Sequence, residues 1–172
     1  MKLVRPDMSY EKQILSFCKE MMEHGDHFDG CAGIEHTESV QEWLNFVERL
    51  TKAYGKAYVP SDVFLFVDDA DRVIGIIDYR HPLSDFLLHY GGSIGYSIRP
   101  SFRRQGHAVK MLKLMIDYCR QAGEEKVLLC CDMDNIGSRK TIQACGGVME
   151  NMVKDDVGLT GSGWIERYWI TV

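Results

Sequence analysis

No stretch of the chain approaches the roughly 18 consecutive apolar residues that a bilayer-spanning helix needs. MKLVRPDMSYEK at the start has no apolar core of the kind that marks a secretion signal. The expectation is a cytoplasmic protein with no membrane partner. Positive charge is not in excess either: 25 Asp and Glu stand against 20 Lys and Arg, a net charge of −5. Nucleic acid and anionic membranes both reward a broad basic surface, so the balance argues against a nucleic-acid partner. Arg99, Arg103 and Arg104 are the local concentration of charge on which a nucleic-acid reading would have to rest. The six cysteines, Cys18, Cys31, Cys119, Cys130, Cys131 and Cys145, form no CxxC. So scattered a set in a chain this long reads as reduced, mostly buried thiols and not as a disulfide framework.

What is present is an ordinary globular composition, 45% hydrophobic and 26% charged over 172 residues, and no linker, repeat or low-complexity run divides it. Residues 1–172 are expected to form one domain. KLVRP reads as a short first strand. SYEKQILSFCKEMMEHG carries Ile14, Leu15, Cys18, Met21 and Met22 at helical spacing, with Phe17, between a Ser9 cap and a Gly25 stop. HTESVQEWLNFVERLTKAYG repeats the pattern with Val40, Trp43, Leu44, Val47 and Leu50. After Pro60 the period changes. DVFLFVDD and RVIGIIDYR flank the acidic turn DDADR as an antiparallel hairpin, and GGSIGYSIRP is a third strand. KVLLCCD is a continuous apolar run suited to a central strand, where Cys130 and Cys131 would point to opposite faces. WIERYWITV alternates at the end of the chain, after a glycine-rich hairpin tip, VGLTGSGW. Two further helices are expected, one over residues 103–122 with Ala108, Leu112, Met115, Ile116 and Cys119 on one stripe, the other in NIGSRKTIQACGG. The order β-αα-βββ-α-β-α-β-β predicts an α+β fold on a central mixed sheet.

The stretch SFRRQGHAVK, residues 101–110, sets two arginines and a glycine where a helix begins. A helix start exposes unpaired N–H groups and a partial positive charge, which attract an anion. Gly106 lets the backbone approach it, Ala108 keeps the first turn small, and Arg103 and Arg104 add the planar cations that suit phosphate. This predicts a pyrophosphate cradle. It is neither GxxxxGK[ST] nor GxGxxG, so nucleotide hydrolysis and hydride transfer lose their usual markers.

The run Arg103-Arg104-Gln105-Gly106-His107-Ala108 resembles the (Arg/Gln)-x-x-Gly-x-(Gly/Ala) turn of the GNAT N-acetyltransferase superfamily. IGYSIRPSFRRQGHA looks like that family's fourth strand, turn and third helix, and CDMDNIGSRKTIQACGG like its fifth strand, an Asn opening the fourth helix, and a helix-ending Gly pair. The likeness runs from about residue 62 onward, and it is greatest to a bacterial subgroup of uncharacterised GNAT acetyltransferases through DYRHPL, YGGSIGYSIRP and CDMDNIGSRK. It implies a mostly antiparallel twisted sheet of six to seven strands with four helices, splayed between the fourth and fifth strands. Gly95 would help to create the splay as a bulge. The resemblance also implies acetyl-CoA as co-substrate and no metal. The backbone around Ser97 and Ile98 would then pair with the pantetheine amides. The N–H groups of Arg104, Gln105, Gly106, His107, Ala108 and Val109 would hold the pyrophosphate together with Arg103. Asn135 would contact the pantetheine arm or cap its helix, and Ser138 would sit near the thiol end.

In such a reaction an amine attacks the thioester carbonyl, whose oxygen an N–H such as that of Ile98 would steady. An alkylamine of pKa near 10.4 must first lose a proton, which costs roughly 4.6 kcal/mol at pH 7, so a base or a water relay matters. Here the chain departs from the family's commonest pattern: the usual tyrosine seven residues after the Asn is Ile142, and the usual glutamate five before it is Cys130. The remaining candidates are Ser138, Tyr168 or water as the acid, and His81, Asp78 or Asp132 as the base. EHGDHFDGC lacks helical zinc spacing and reads as the loop bordering an acceptor site. The acceptor would be a small-molecule or peptide amine, and the protein a monomer or homodimer. A non-catalytic acyl-CoA-binding sensor is the rival reading.

Overall fold

The structure, a computed structural model, describes residues 1–52 and 58–172. It runs β1 (Lys2–Val4), α1 (Glu11–His24), α2 (Val40–Leu50), β2 (Ser61–Val67), β3 (Val73–Arg80), β4 (Ile94–Ile98), α3 (His107–Gln121), β5 (Lys126–Asp132), α4 (Ile136–Ala144), β6 (Val148–Lys154) and β7 (Trp164–Thr171). The element order is the expected one. The last residues of the second helical stretch, from 53 to 55, lie outside the described residues.

The sheet is not one mixed sheet. Every ladder is antiparallel, in a four-stranded sheet ordered β1-β2-β3-β4 and a three-stranded sheet ordered β5-β7-β6. The two meet at one end of β4, where the Ser93 amide donates to the Leu128 carbonyl at 2.6 Å, the Leu128 amide to Ser93 Oγ at 3.1 Å, and Gly92 bridges to Leu129. Beyond Ser93 the fourth and fifth strands part, which is the expected splay. The central place in the second sheet belongs to β7, and this is why Ile165, Glu166, Arg167 and Tyr168 are buried in succession instead of alternating. β5 still buries Val127, Leu128 and Leu129, because it has β7 on one side and the foot of β4 on the other.

Alternation along β2 divides the core. Phe64 and Phe66 join Ile77, Ile94, Ile98, Met111, Leu112 and Met115 under α3 and α4, while Val63, Leu65 and Val67 join Ile14, Phe17, Met21, Trp43, Val47 and Ile76 under α1 and α2. Two expectations for α1 are corrected. Leu15 and Met22 lie on its exposed side at 54% and 61% accessibility, since Ile14, Phe17, Cys18 and Met21 already fill the face turned to the sheet. Ser9 caps nothing: Asp7 accepts from the Ser9 amide at 2.7 Å and starts a 3-10 turn over Met8–Tyr10, from which α1 continues. Gly25, at φ 71°, ends the helix as expected. Among the described residues no helix is long and apolar enough to cross a membrane.

Candidate active site

Strand β4 carries the site because one of its edges is open. The Arg99 amide bonds the Ile74 carbonyl at 2.8 Å and the Arg80 amide bonds the Ser93 carbonyl at 2.8 Å. Antiparallel pairing alternates, so the odd residues turn their backbone groups to β3. The even ones, Tyr96 and Ile98, turn theirs toward the split. Ser97 therefore spends its backbone on Ile76, with which it is paired, and its buried hydroxyl donates to the Asp29 carbonyl at 2.8 Å. The free edge belongs to Tyr96 and to the amide of Ile98, whose carbonyl accepts from Arg103 Nε at 2.9 Å. Gly95 makes no bulge, since the β3–β4 register runs unbroken from Gly75↔Ile98 to Tyr79↔Ile94. It is a glycine because a Cβ there would stand 2.4 Å from the Arg80 guanidinium and 2.9 Å from the Gly30 amide nitrogen.

From Ile98 the chain passes a 3-10 turn over Pro100–Phe102 and enters α3 at His107, later than the expected residue 103, with Gly106 left-handed at φ 77° and Arg104 at φ 61°. The first amide to bond back is that of Lys110, to the Gly106 carbonyl at 3.2 Å. Among the described residues the six amides of 104–109 have no acceptor, and nothing stands within 4 Å of a Cβ built on Gly106. Unpaired donors at a helix start with open space in front suit an anion. The side chains around them divide. Arg104 is exposed and has no partner among the described residues, and Gln105 reaches the Ser101 carbonyl at 3.3 Å. Arg103 instead turns away, donating to the Ile98 carbonyl at 2.9 Å and to both carboxylate oxygens of Asp26. His107 tucks its ring among Phe66 and Phe102; burial, with Lys110 beside it, lowers its pKa and favours the neutral ring.

At the head of α4, Asn135 accepts from the Ser138 amide at 3.0 Å as its cap. Ser138 Oγ lies 2.9 Å from the hydroxyl of Tyr96, so a side chain from β4 meets the first turn of α4 across the split. Burial pushes the Tyr96 hydroxyl well above the usual phenol range. Tyr96 was not singled out from the sequence; its even position on the open strand was the available signal.

The remaining candidates are scattered. His81 stacks on Tyr79 at 4.5 Å, with Nε2 3.2 Å from Asp62, in a cavity of about 490 Å³ lined by Gly123, Glu124 and Lys126. That is beside the far end of α3, a helix of 15 residues and so about 22 Å long. Tyr168, 2% exposed, donates to Glu166 at 2.9 Å; burial, that bond and the Glu166 charge push its pKa to about 12. Asp132 serves as a turn: one oxygen accepts from Asp134, the other from the Gly161 and Ser162 amides. Burial raises its carboxyl, but these bonds outweigh it and hold it below the ordinary value. Asp78 is buried, bonded to Arg80 at 2.9 Å and to the Gly95 amide at 3.0 Å. Ile142 is fully buried, and burial pushes the Cys130 thiol to about 12. In the loop EHGDHFDGC, His24 pairs with Asp26, and among the described residues no three His, Cys, Asp or Glu side chains are placed to hold a metal ion.

A family model described as an acetyltransferase (GNAT) domain matches residues 11–148. The chain belongs to the GNAT acetyltransferase family. Among solved structures its fold resembles that of the microcin C7 self-immunity acetyltransferase MccE in complex with acetyl-CoA and AMP, with 15% identity, coverage of 99% of this chain and 91% of that one, and a TM-score of 0.71. It also resembles RimL, a ribosomal L7/L12 α-N-protein acetyltransferase, in complex with coenzyme A (16% identity, 99% and 93% covered, TM-score 0.72). A third likeness is a spermidine N-acetyltransferase SpeG chimera from Vibrio cholerae and hSSAT (16% identity, 99% and 96% covered, TM-score 0.70). No curated protein matches the chain in sequence. The two sheets that part after Ser93, with helix starts on the open side, are the GNAT splay in this chain.

Proposed function

We propose that this GNAT chain is an acetyl-CoA-dependent N-acetyltransferase acting directly on a primary amine of a small molecule or peptide. The observation that carries the reading is the run of six unpaired amides at residues 104–109, placed where β4 leaves the split. Those amides, with the exposed guanidinium of Arg104, receive a diphosphate, while the backbone of Tyr96 and the amide of Ile98 face the pantetheine arm as an added strand would. Bound there, acetyl-CoA supplies a thioester carbonyl already activated toward attack by nitrogen. The Ile98 amide stands on the free edge to donate to the carbonyl oxygen as negative charge develops on it. The acceptor nitrogen, having lost its ammonium proton, forms the new C–N bond, the C–S bond breaks, and the leaving sulfur takes a proton. The Tyr96 and Ser138 hydroxyls meet at the head of α4, where they can donate toward that sulfur. The solved complexes of MccE and RimL with acetyl-CoA or CoA, and the spermidine and ribosomal-protein acceptors named for other structures of this fold, support the choice of co-substrate and acceptor class.

One observation favours a second reading, an acyl-CoA sensor without chemistry: the family's tyrosine position is Ile142, sealed in the core. Thiol release measured with spermidine, amino acids, aminoglycosides and peptides separates the two. Turnover with any acceptor removes the sensor, and tight acetyl-CoA binding without turnover removes the enzyme. Gly106→Glu tests the placement. The site is open around that residue, and a left-handed non-glycine residue costs only about 1–2 kcal/mol. The variant is expected to fold and to lose acetyl-CoA binding by calorimetry; retained binding means the cradle lies elsewhere.

A further inference from the structure

The acceptor side of β4 is shaped by the loop between α1 and α2, and that loop is clamped in three places. Gly30 presses on the strand backbone: a Cβ there would fall 2.1 Å from the Gly95 carbonyl oxygen and 2.5 Å from the Tyr96 nitrogen. The Ser97 hydroxyl holds the Asp29 carbonyl at 2.8 Å, and the buried Trp43 indole donates to the Cys31 carbonyl at 2.9 Å. Residues 29–31 are thus fixed across the centre of β4, on the face opposite α3, while the strand's free edge lies at the adjacent residues Tyr96 and Ile98.

Among the acidic side chains near this point, most are committed. Asp78 holds Arg80 and the Gly95 amide, Asp26 holds Arg103, and Asp132 holds the 161–162 amides. Asp29 differs: the residue is exposed, and its carboxylate makes no hydrogen bond or ion pair with any described residue. The protein crowded around it raises its pKa, with His27 and Arg80 pulling the other way and Asp78 adding to the rise.

We infer that Asp29 is the catalytic carboxylate of the acceptor site, receiving the acceptor's ammonium beside the centre of β4 and taking its proton before attack. The inference rests on the acetyl-transfer reading above. In the step, R–NH3⁺ and the carboxylate become R–NH2 and the carboxylic acid; the nitrogen keeps the electron pair that forms the C–N bond, and the acid returns its proton to solvent. Asp29 thereby supplies from a loop the carboxylate that β5 lacks at position 130. The charged groups that act on it are His27 from its own loop and Asp78 and Arg80 from β3.

The test is steady-state kinetics of the full chain and of Asp29→Asn and Asp29→Glu, with spermidine and with peptides bearing a free N-terminal serine or alanine. For Asp29→Asn, kcat/KM for the accepted probe is expected to fall about 10²-fold, the lower end of what a general base is worth. The KM for acetyl-CoA and the melting temperature should stay as they are. The acidic limb of the acceptor-saturated pH profile should sit above the ordinary aspartate range in the wild type and vanish in the variant, and Asp29→Glu should recover most of the rate. If the wild type turns over a probe and Asp29→Asn keeps both the rate and the acidic limb, the inference is overturned and acetyl transfer stands. If the wild type binds acetyl-CoA yet turns over no probe, acetyl transfer itself falls and takes the inference with it.

Discussion

The guanidinium of Arg103 forks onto the carboxylate of Asp26, at 3.0 and 2.7 Å, tying the residue that precedes the phosphate-shaped turn to the end of α1. The neighbouring Arg104 makes no such bond and faces solvent. Two adjacent arginines in one motif therefore do different work, and their variants should separate. Arg103→Gln is expected to cost about 1 kcal/mol, since the pair is only partly buried, and so to lower Tm by about 2–4 °C. Burial pushes the Asp26 carboxyl up, but Arg103 and His24 outweigh it, and the net pKa is lowered. The stabilisation is then present above the unfolded aspartate value of about 3.9 and is lost as pH falls through the lower folded value, so the wild-type advantage should shrink below about pH 4. Arg104→Gln should leave Tm in place and weaken acetyl-CoA by about tenfold in calorimetry, the loss of one charge-assisted bond. Equal effects of the two substitutions on binding would show that Arg103 leaves Asp26 to reach the ligand.

Gly25 and Gly30 share a left-handed backbone, φ 71° and 72°, yet only one of them is crowded. A Cβ on Gly25 meets nothing within 4 Å, whereas one on Gly30 meets the Gly95 backbone at 2.1 Å. Gly25→Ala should cost about 1–2 kcal/mol, the price of the conformation alone. Gly30→Ala adds an overlap with backbone that no rotamer relieves, a further 1–3 kcal/mol or so. It should also lift Asp29 off β4, so acceptor turnover should fall in parallel with Tm. Denaturant melts of the two variants decide this, and equal losses would mean that loop and strand do not touch.

Periodicity and turn residues were enough to order the elements, because each apolar stripe answers to the local period of 3.6 or 2 and each stop to a glycine beside it. What escaped depended on contacts between distant segments. Leu15 and Met22 have the right spacing for a core, but which side of an apolar stripe meets the sheet is settled by the sheet. Gly95 was legible as a special residue, while its reason, the backbone of Gly30, lies in a different element. The glycine turn that leads into α3 was legible because it is a property of local sequence, although the helix begins at His107 and not at the expected residue 103. Asp29 and Tyr96 were not, since one becomes notable through Ser97 and Arg80 and the other through Ser138.

The same distinction decides between the acid candidates. Tyr168 has the chemistry of a proton donor, but its hydroxyl is spent on Glu166 at 2.9 Å inside the core, where Arg139 also holds that carboxylate. Burial and the neighbouring carboxylate raise its pKa to about 12, and a hydroxyl committed to Glu166 in the core has no path to the split between the sheets. Tyr168→Phe should therefore act on stability, costing about 1 kcal/mol for the lost bond, and should reduce kcat by far less than the 10²-fold a general acid is worth. Tyr96 stands on the open strand with its hydroxyl against Ser138. Tyr96→Phe is expected to lower kcat, and Ser138→Ala to lower it further only if the two hydroxyls act independently. A double-mutant cycle on kcat measures this directly: a double variant no slower than the slower single variant places both hydroxyls on one proton path, and full additivity separates them.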